Sequence, residues 1–410
     1  MDHVTGAARS EDVRAHNLAA VMAHLDLVGR ASRAELSATT GLVSGAVSSL
    51  VQELRDARLV RPAGASEPGA GPRPPRRGRP TEIVEIDGSD LGFLVVQFLM
   101  GQVRVVGTDL AGRSLHDRTL ALSTPVGDPA ALADVLVAPT VAGLAGLRAA
   151  GARPVALAVV APAPVDPTSG HVAFSVDFGW RDVDLAALLR DRLPDPPGRV
   201  MVLNDAQTAT HAETVAQRRA GGPADDLVYL KADTGIGGGV VVAGRLLRGT
   251  TAFVFQPGHV VTVPGGPACT CGKRGCLVTV AGPDVLLRAA GLDGLAADAG
   301  FPAALDELFA RHDAGDATTV GAVRENAAWL RLALVNVCVL LQPRVVVLGG
   351  YLARVRDLLL DEGDDGLGPA GLPGAPQVIA ARHGADSALQ GALSLCRGTV
   401  LASPGQVRAT

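Results

Sequence analysis

An α/β protein with a winged helix-turn-helix at its N-terminus is predicted by three observations. Residues 1–62 carry helical apolar spacing and helix-capping residues. A break follows, PAGASEPGAGPRPPRRGRP from Pro62 to Pro80, whose six prolines and four glycines allow neither a helix nor a central strand. Beyond it, strand-like runs alternate with helical runs to the C-terminus, the pattern of an α/β domain. The predicted divisions are a head at 1–62, a linker or wing at 63–84 and an α/β part at 85–410.

In the head, Leu18, Val21, Met22, Leu25 and Leu27 form roughly one helical stripe within Val13 to Val28. A second helix opens at Ser32, where SRAE is a capping box: Ser32 accepts from the Glu35 amide and Glu35 bonds back. It ends at Thr40-Gly41, where glycine permits a left-handed turn. A third helix runs from about Val43 to Asp56, with Val47, Leu50, Val51 and Leu54 on one face. Leu59-Val60 then begins a wing strand. Helix, glycine turn, helix and strand together predict DNA binding, a three-helix dimerisation module being the alternative. The bases would meet Ser44, Ser48, Ser49 and Gln52. Residues 1–62 balance seven acidic against seven basic side chains, so phosphate attraction must come from elsewhere. Arg73, Arg76, Arg77 and Arg79, opposed only by Glu67, can supply it. The RRGRP run resembles segments that enter narrow minor grooves; a solvated spacer fits it equally.

Composition bounds the rest. At about 150 residues per domain, 410 residues make two or three domains. The chain is 48% hydrophobic and 19% charged, which excludes general disorder. Aromatics are only 3%, so Ala, Val, Leu and Gly must fill the core. A net charge of −4 confines any nucleic-acid surface to a local patch. Five cysteines do not make a disulfide scaffold, and no charged-then-apolar leader opens the chain. The apolar stretch from Pro154 to Val165 is too short for a bilayer and holds three prolines. A cytoplasmic protein with no membrane partner is expected.

In the α/β part, Phe93 to Leu99, Val103 to Thr108, Val155 to Ala161, Val200 to Leu203, Leu227 to Lys231 and Val345 to Gly350 read as strands. The fourth ends in Asn204-Asp205 ahead of a helical QTATHAETVAQRR. A carboxylate there suits a catalytic base or a helix cap. After Lys231 comes ADTGIGGGVVV, whose glycines either cradle a phosphate or form a tight hairpin. GHVVTVPGGPACTCGKRGC holds the sharpest local signal. Cys269, Cys271 and Cys276 form C-x-C-x4-C, with His259 ten residues upstream. Three thiolates and one imidazole make a closed tetrahedral set suited to structural zinc. Cys338 and Cys396 lie in apolar helical runs and read as core.

Taken together, the helix-turn-helix with its GRP element, GWRDVDLAALL at 179–189, NDA at 204–206, TGIGGG at 234–239, PGH at 257–259, CTCGKRGC at 269–276 and VVLGG at 346–350 resemble the ROK family of repressors, open reading frames and kinases. The resemblance covers nearly the whole chain. It implies a two-lobed, actin-like fold of the ribonuclease-H-like, sugar-kinase type, zinc at 259–276, and either sugar kinase activity or sugar-responsive repression. A fused helix-turn-helix marks the repressor branch. The partners implied are a DNA operator, a sugar or sugar derivative, and a second copy, as a homodimer or dimer of dimers. The ligand positions implied are Asp177, Asn204, Asp205, Gln256 and His259, with Asn204 and Asp205 holding vicinal hydroxyls.

The departures from the family pattern point away from catalysis. Gln97 stands at or near the family's metal-holding aspartate and carries no charge. Asp233 replaces a glycine of the phosphate turn. Gln256 and Val278 replace two glutamates, and Asp177 an asparagine. In the recognition helix Ser44, Ala46 and Ser49 stand where relatives place arginine and threonine, and Val43 replaces a serine cap. The expectation is a regulator without kinase activity, Asp205 being a vestigial base. The alternatives are a sugar kinase using Asp205, and a ligand-free, zinc-stabilised dimerisation scaffold.

Overall fold

The computed structural model describes residues 10–63, 82–99, 101–122, 127–166, 169–175, 178–249, 251, 253–360, 367 and 375–409. The head contains α1 (Ser10–Val28), β1 (Arg30–Ser32), α2 (Arg33–Thr40), α3 (Ser44–Asp56), β2 (Val60–Pro62) and β3 (Ile83–Ile86). The capping box at α2 is formed, with the Ser32 amide 2.7 Å from the Glu35 carboxylate and the Glu35 amide 3.2 Å from Ser32 Oγ. Gly41 ends α2 in the left-handed region at φ 71°. Val47, Leu50, Val51 and Leu54 are buried under α3, and Val43 is its N-cap without a side-chain bond. β3 pairs antiparallel with both β1 and β2. The Pro/Arg-rich segment therefore joins the two wing strands β2 and β3, and a division at residue 85 falls inside β3.

Two lobes follow. The first contains β4 (Leu91–Leu99), β5 (Gln102–Asp109), β6 (Ser114–Ala121), α4 (Pro129–Ala149), β7 (Arg153–Ala161), the small hairpin β8 (Val172–Ser175) and β9 (Trp180–Val183), α5 (Leu185–Arg192), β10 (Arg199–Asn204) and α6 (Asp205–Arg219). Its sheet runs β10-β7-β4-β5-β6. β4 is parallel to β7 and antiparallel to β5. Central strands covered on both faces read as unbroken apolar runs, which is why Phe93 to Phe98 are buried at every position. Gln97 is buried in that run, paired across to Arg104 and Val160.

The second lobe contains β11 (Leu227–Ala232), β12 (Ile236–Val242), β13 (Arg245–Leu246), α7 (Val278–Ala281), α8 (Pro283–Ala289), α9 (Asp293–Asp313), α10 (Ala317–Leu341), β14 (Val345–Gly350), α11 (Arg356–Leu360), β15 (Gln377–Ala380) and α12 (Ser387–Leu401). Its sheet runs β13-β12-β11-β14-β15, so both lobes repeat one scheme: three meandering antiparallel strands, then two parallel ones. α6 and α12 pack on each other between the sheets. The buried Glu213 of α6 fixes this pair by accepting from the Arg382 and His383 amides and the Ser387 hydroxyl.

The run of glycines after Lys231 is a hairpin, with Asp233, Thr234 and Gly235 at its tip and Gly237 to Gly239 in β12. A Cβ on Gly239 would collide with the Thr210 side chain, and one on Gly237 would crowd Ala206. These glycines bring α6 hard against β12. Among the described residues α4 is the single helix long and apolar enough to cross a membrane. It lies against the first sheet with Leu132, Leu136 and Leu147 buried.

Asp26, near the end of α1, ties the head to both interlobe helices. Its carboxylate accepts from Arg397 of α12 at 2.7 Å and from Arg219 at the end of α6 at 3.3 Å. Arg219 also donates to the Asp26 carbonyl at 2.9 Å.

Candidate functional site

The cleft between the lobes is a cavity of about 460 Å³, within the range of small-molecule sites. Asn204, Asp205, Gln256 and His259 all line it, and so does Val278. Gln97 does not. Asp177 lies outside the described residues, as do Arg76, Arg77 and Arg79.

β10 delivers Asn204 and Asp205 to the cleft, and the helix cap is Asn204 rather than Asp205: its Oδ1 accepts from the Gln207 amide at 2.8 Å. The Asn204 amide donates to the Ala163 carbonyl at 2.9 Å and to Asp205 Oδ1 at 3.3 Å. Both its donors are thus committed within the protein, and the hydroxyl-binding capacity falls mainly on Asp205. Asp205 Oδ1 also accepts from the Ala206 amide at 2.7 Å. Its Oδ2 lies 2.6 Å from Lys231 Nζ. The same ammonium lies 2.8 Å from Asp233 Oδ2. Lys231 and Asp205 are buried, whereas the Asp233 side chain is 44% exposed. Burial disfavours the ammonium, but Asp205 and then Asp233 outweigh it and raise the Lys231 pKa above the usual lysine value.

Sequence reasoning missed Lys231 as a site residue. The signal was present: Lys231 is one of only two lysines and interrupts a buried apolar strand, LVYLKA, where an ammonium needs a counterion.

His259, Cys269, Cys271 and Cys276 come together as one cluster, their ligand atoms all within 4.8 Å of one another. Cys271 Sγ and Cys276 Sγ are 3.5 Å apart, and Cys269 Sγ and His259 Nδ1 3.6 Å. A tetrahedral ion with bonds of ~2.3 Å to sulfur needs edges of about 3.8 Å, so the donor set fits zinc. Short pairings build the cage: Val261 bridges Cys276, and Ala268 bridges Arg274. Gly272 and Gly275 turn the chain at φ 91° and 71°, and a Cβ on Gly275 would strike the Val263 carbonyl. Burial and then Lys273 lower the His259 pKa, which favours the neutral imidazole that ligates metal. Burial, with the neighbouring thiols, pushes the Cys276 thiol up to about 12 without the ion. Cys269 and Thr270 also wall the cleft, so the cage supports the cavity directly.

In the head, Ser44, Ser49 and Gln52 are exposed on α3 and Ser48 is half-buried. The nearby arginines are engaged: Arg14 with Glu53 at 2.5 Å, Arg33 and Arg55 with Glu82, and Arg61 with Glu85 at 2.8 Å.

A helix-turn-helix head on two lobes that share one sheet scheme and enclose a cleft defines a two-lobed protein with an actin-like fold. Residues 108–399 match the family model described as "ROK family", and the chain belongs to that family. Among its relatives are the xylose repressor of Bacillus subtilis, 26% identical over 331 residues that cover 80% of each chain, and the DNA-binding transcriptional repressor Mlc of Escherichia coli, 24% identical over 376 residues that cover 90% of this chain and 89% of that one. A glucokinase of Halalkalibacterium halodurans is 33% identical over 211 residues, 49% of this chain and 62% of that enzyme. A solved ROK family transcriptional regulator homologous to Escherichia coli Mlc superposes with a TM-score of 0.74 at 22% identity, covering 97% of this chain and 98% of that one. A Streptomyces griseus ROK glucokinase in complex with glucose and a nucleotide analogue superposes at 0.59 with 26% identity, covering 75% and 99%.

Proposed function

We propose that the chain is a DNA-binding transcriptional regulator, a repressor, that senses a sugar or sugar-like ligand in the cleft and does not phosphorylate it. The observation that carries this reading is the shared helix: α6 opens in the cleft at Asp205 and ends at Arg219 against Asp26 of the head. Occupancy of the cleft can therefore bias the placement of the head. The match of repressors over four-fifths or more of their own length supports the same reading. In this proposal α3 enters the major groove with Ser44, Ser48, Ser49 and Gln52 towards the bases. Arg76, Arg77 and Arg79 reach phosphates or the minor groove. A homodimer or dimer of dimers presents paired heads in a reducing cytoplasm, with zinc holding the wall of the cleft through His259, Cys269, Cys271 and Cys276.

Ligand contacts are assigned to Asp177, Asn204, Asp205, Gln256 and His259. A hydroxyl buried against Val278 would lose an acceptor at a cost of ~1–3 kcal/mol, so the preferred ligand lacks one there or carries an apolar group. The glucokinase relative favours a second reading, a kinase with Asp205 as base. Against it stand Lys231, which engages the Asp205 carboxylate, and the uncharged Gln97. The test is sequencing of DNA retained by the pure protein, then retention of that DNA across a panel of hexoses, pentoses and amino sugars, beside a coupled ATP-consumption assay. Specific DNA released or bound on sugar addition, with no turnover, is expected. Turnover at ~1–100 per second with any sugar would overturn the non-enzyme reading.

A further inference from the structure

We propose that Lys231 and the Gly349-Gly350 turn form an anion site that the chain fills with its own Asp233 carboxylate, so that the cleft takes uncharged ligands and rejects phosphorylated ones. The inference rests on the reading of the cleft as a small-molecule site.

β11 and β14 are parallel neighbours in register, with Lys231 opposite Gly349 and Ala232 opposite Gly350. The tip at Asp233 to Gly235 and the turn at Gly349-Gly350 thus lie side by side at the carboxyl ends of adjacent parallel strands. That is where open α/β sheets bind ligands, and where exposed backbone amides favour anions. The space over this turn is already taken. Gly350 has φ 59°, and a Cβ there would collide with both the Ala232 carbonyl and Asp233 Oδ1. The Asp233 carboxylate therefore rests directly on the glycine turn, with its other oxygen 2.8 Å from Lys231 Nζ. It is an anion, seated in a glycine turn and paired with a buried ammonium, as a bound phosphate would be.

The charge around the cleft supports the exclusion. Of the three Lys231 donors, Asp205 and Asp233 engage two. Among the described lining residues the other permanent cation is Arg288, which is 65% exposed and 3.7 Å from Asp284. At this turn Asp205 and Asp233 outnumber Lys231, so an incoming phosphate meets net negative charge as well as an occupied seat. A neutral polyol meets neither obstacle, because Asp233 does not line the cavity in which it would lie.

The experiment measures Tm and calorimetric heat for the full chain and for Asp233→Gly and Asp233→Asn, each titrated with millimolar inorganic pyrophosphate and, separately, with the uncharged sugar panel. Zinc content verifies that each variant is folded. Pyrophosphate should leave the wild type unmoved. It should raise the Tm of Asp233→Gly by roughly 1–2 °C at ten times its dissociation constant. Asp233→Asn keeps the size of the side chain and removes its charge, and should respond between the two; it also serves if the glycine variant does not fold. Wild type stabilised as much as the variants, or folded variants that ignore pyrophosphate, would overturn the proposal. The sugar arms report on the parent reading alone: no response to any sugar in a protein whose Asp233→Gly form binds pyrophosphate would sink that reading and leave the filled anion site standing.

Discussion

Replacing Lys231 by methionine removes the one cation that two carboxylates share. Asp205, with its side chain 8% exposed, would lose a partner at 2.6 Å and keep only the Ala206 and Asn204 donors on its other oxygen. Removing one member of a buried pair typically costs about 3–5 kcal/mol. The two remaining hydrogen bonds put this case near the lower end, ~3 kcal/mol, or a Tm lower by roughly 3–5 °C for a chain of this length. Asp233→Asn should cost less than ~1 kcal/mol, because that carboxylate is 44% exposed and water can replace the partner. The sign with pH follows from the raised Lys231 pKa. The folded state holds the proton more tightly than an unfolded lysine near 10.5, so the stabilisation is complete below that value and fades as pH rises through the folded pKa. Thermal melts from neutral to strongly alkaline pH should show the wild type losing this advantage at the alkaline end and Lys231→Met having none to lose. Equal losses for Lys231→Met and Asp233→Asn at neutral pH, or a Lys231→Met cost under ~1 kcal/mol, would refute the reasoning.

Elemental analysis should give one zinc per chain, and Cys276→Ser or chelation should lower Tm markedly, since structural zinc is worth about 10–16 kcal/mol of apparent binding in small peptides. Alanine at Arg76, Arg77 and Arg79 together should weaken binding to every DNA sequence and flatten the salt dependence by about 0.9 for each phosphate no longer neutralised; an unchanged slope would make the segment a spacer. Gly239→Val should destabilise by several kcal/mol, of order 3, by driving α6 off β12 at Thr210, whereas Gly235→Ala, with open space around it, should be nearly silent in a melt.

Local signals carried much of the fold. Ser32 and Glu35, Gly41 and the apolar face of α3 specify the head within a few residues, and the cysteine spacing specifies the metal cage. β1 and β2 are only three residues long and β3 only four, too short for any periodicity to register, so the wing sheet was half seen. The glycines of TGIGGG satisfy a phosphate turn and a tightly packed strand alike; only the approach of α6 separates the two. Asn204 and Asp205 are both good caps, and Asp205 is drawn instead to Lys231, which lies 26 residues away and reaches it through the packing of α6 on β11 rather than through any local pattern.

Asp26 is shared between two helices with different anchorages, and that makes it a comparator. α6 is a 15-residue rod, about 22 Å long. A tilt of ~5° about its cleft end swings the Arg219 end by ~2 Å. That displacement carries the 3.3 Å contact with Asp26 beyond hydrogen-bond reach, while the 2.7 Å pair to Arg397 stays with α12. In the proposed regulator the head would register the difference in movement between α6 and α12 rather than the absolute position of either. A rigid shift of both helices together would leave it unmoved, whereas a small relative rotation hands Asp26 from two arginines to one.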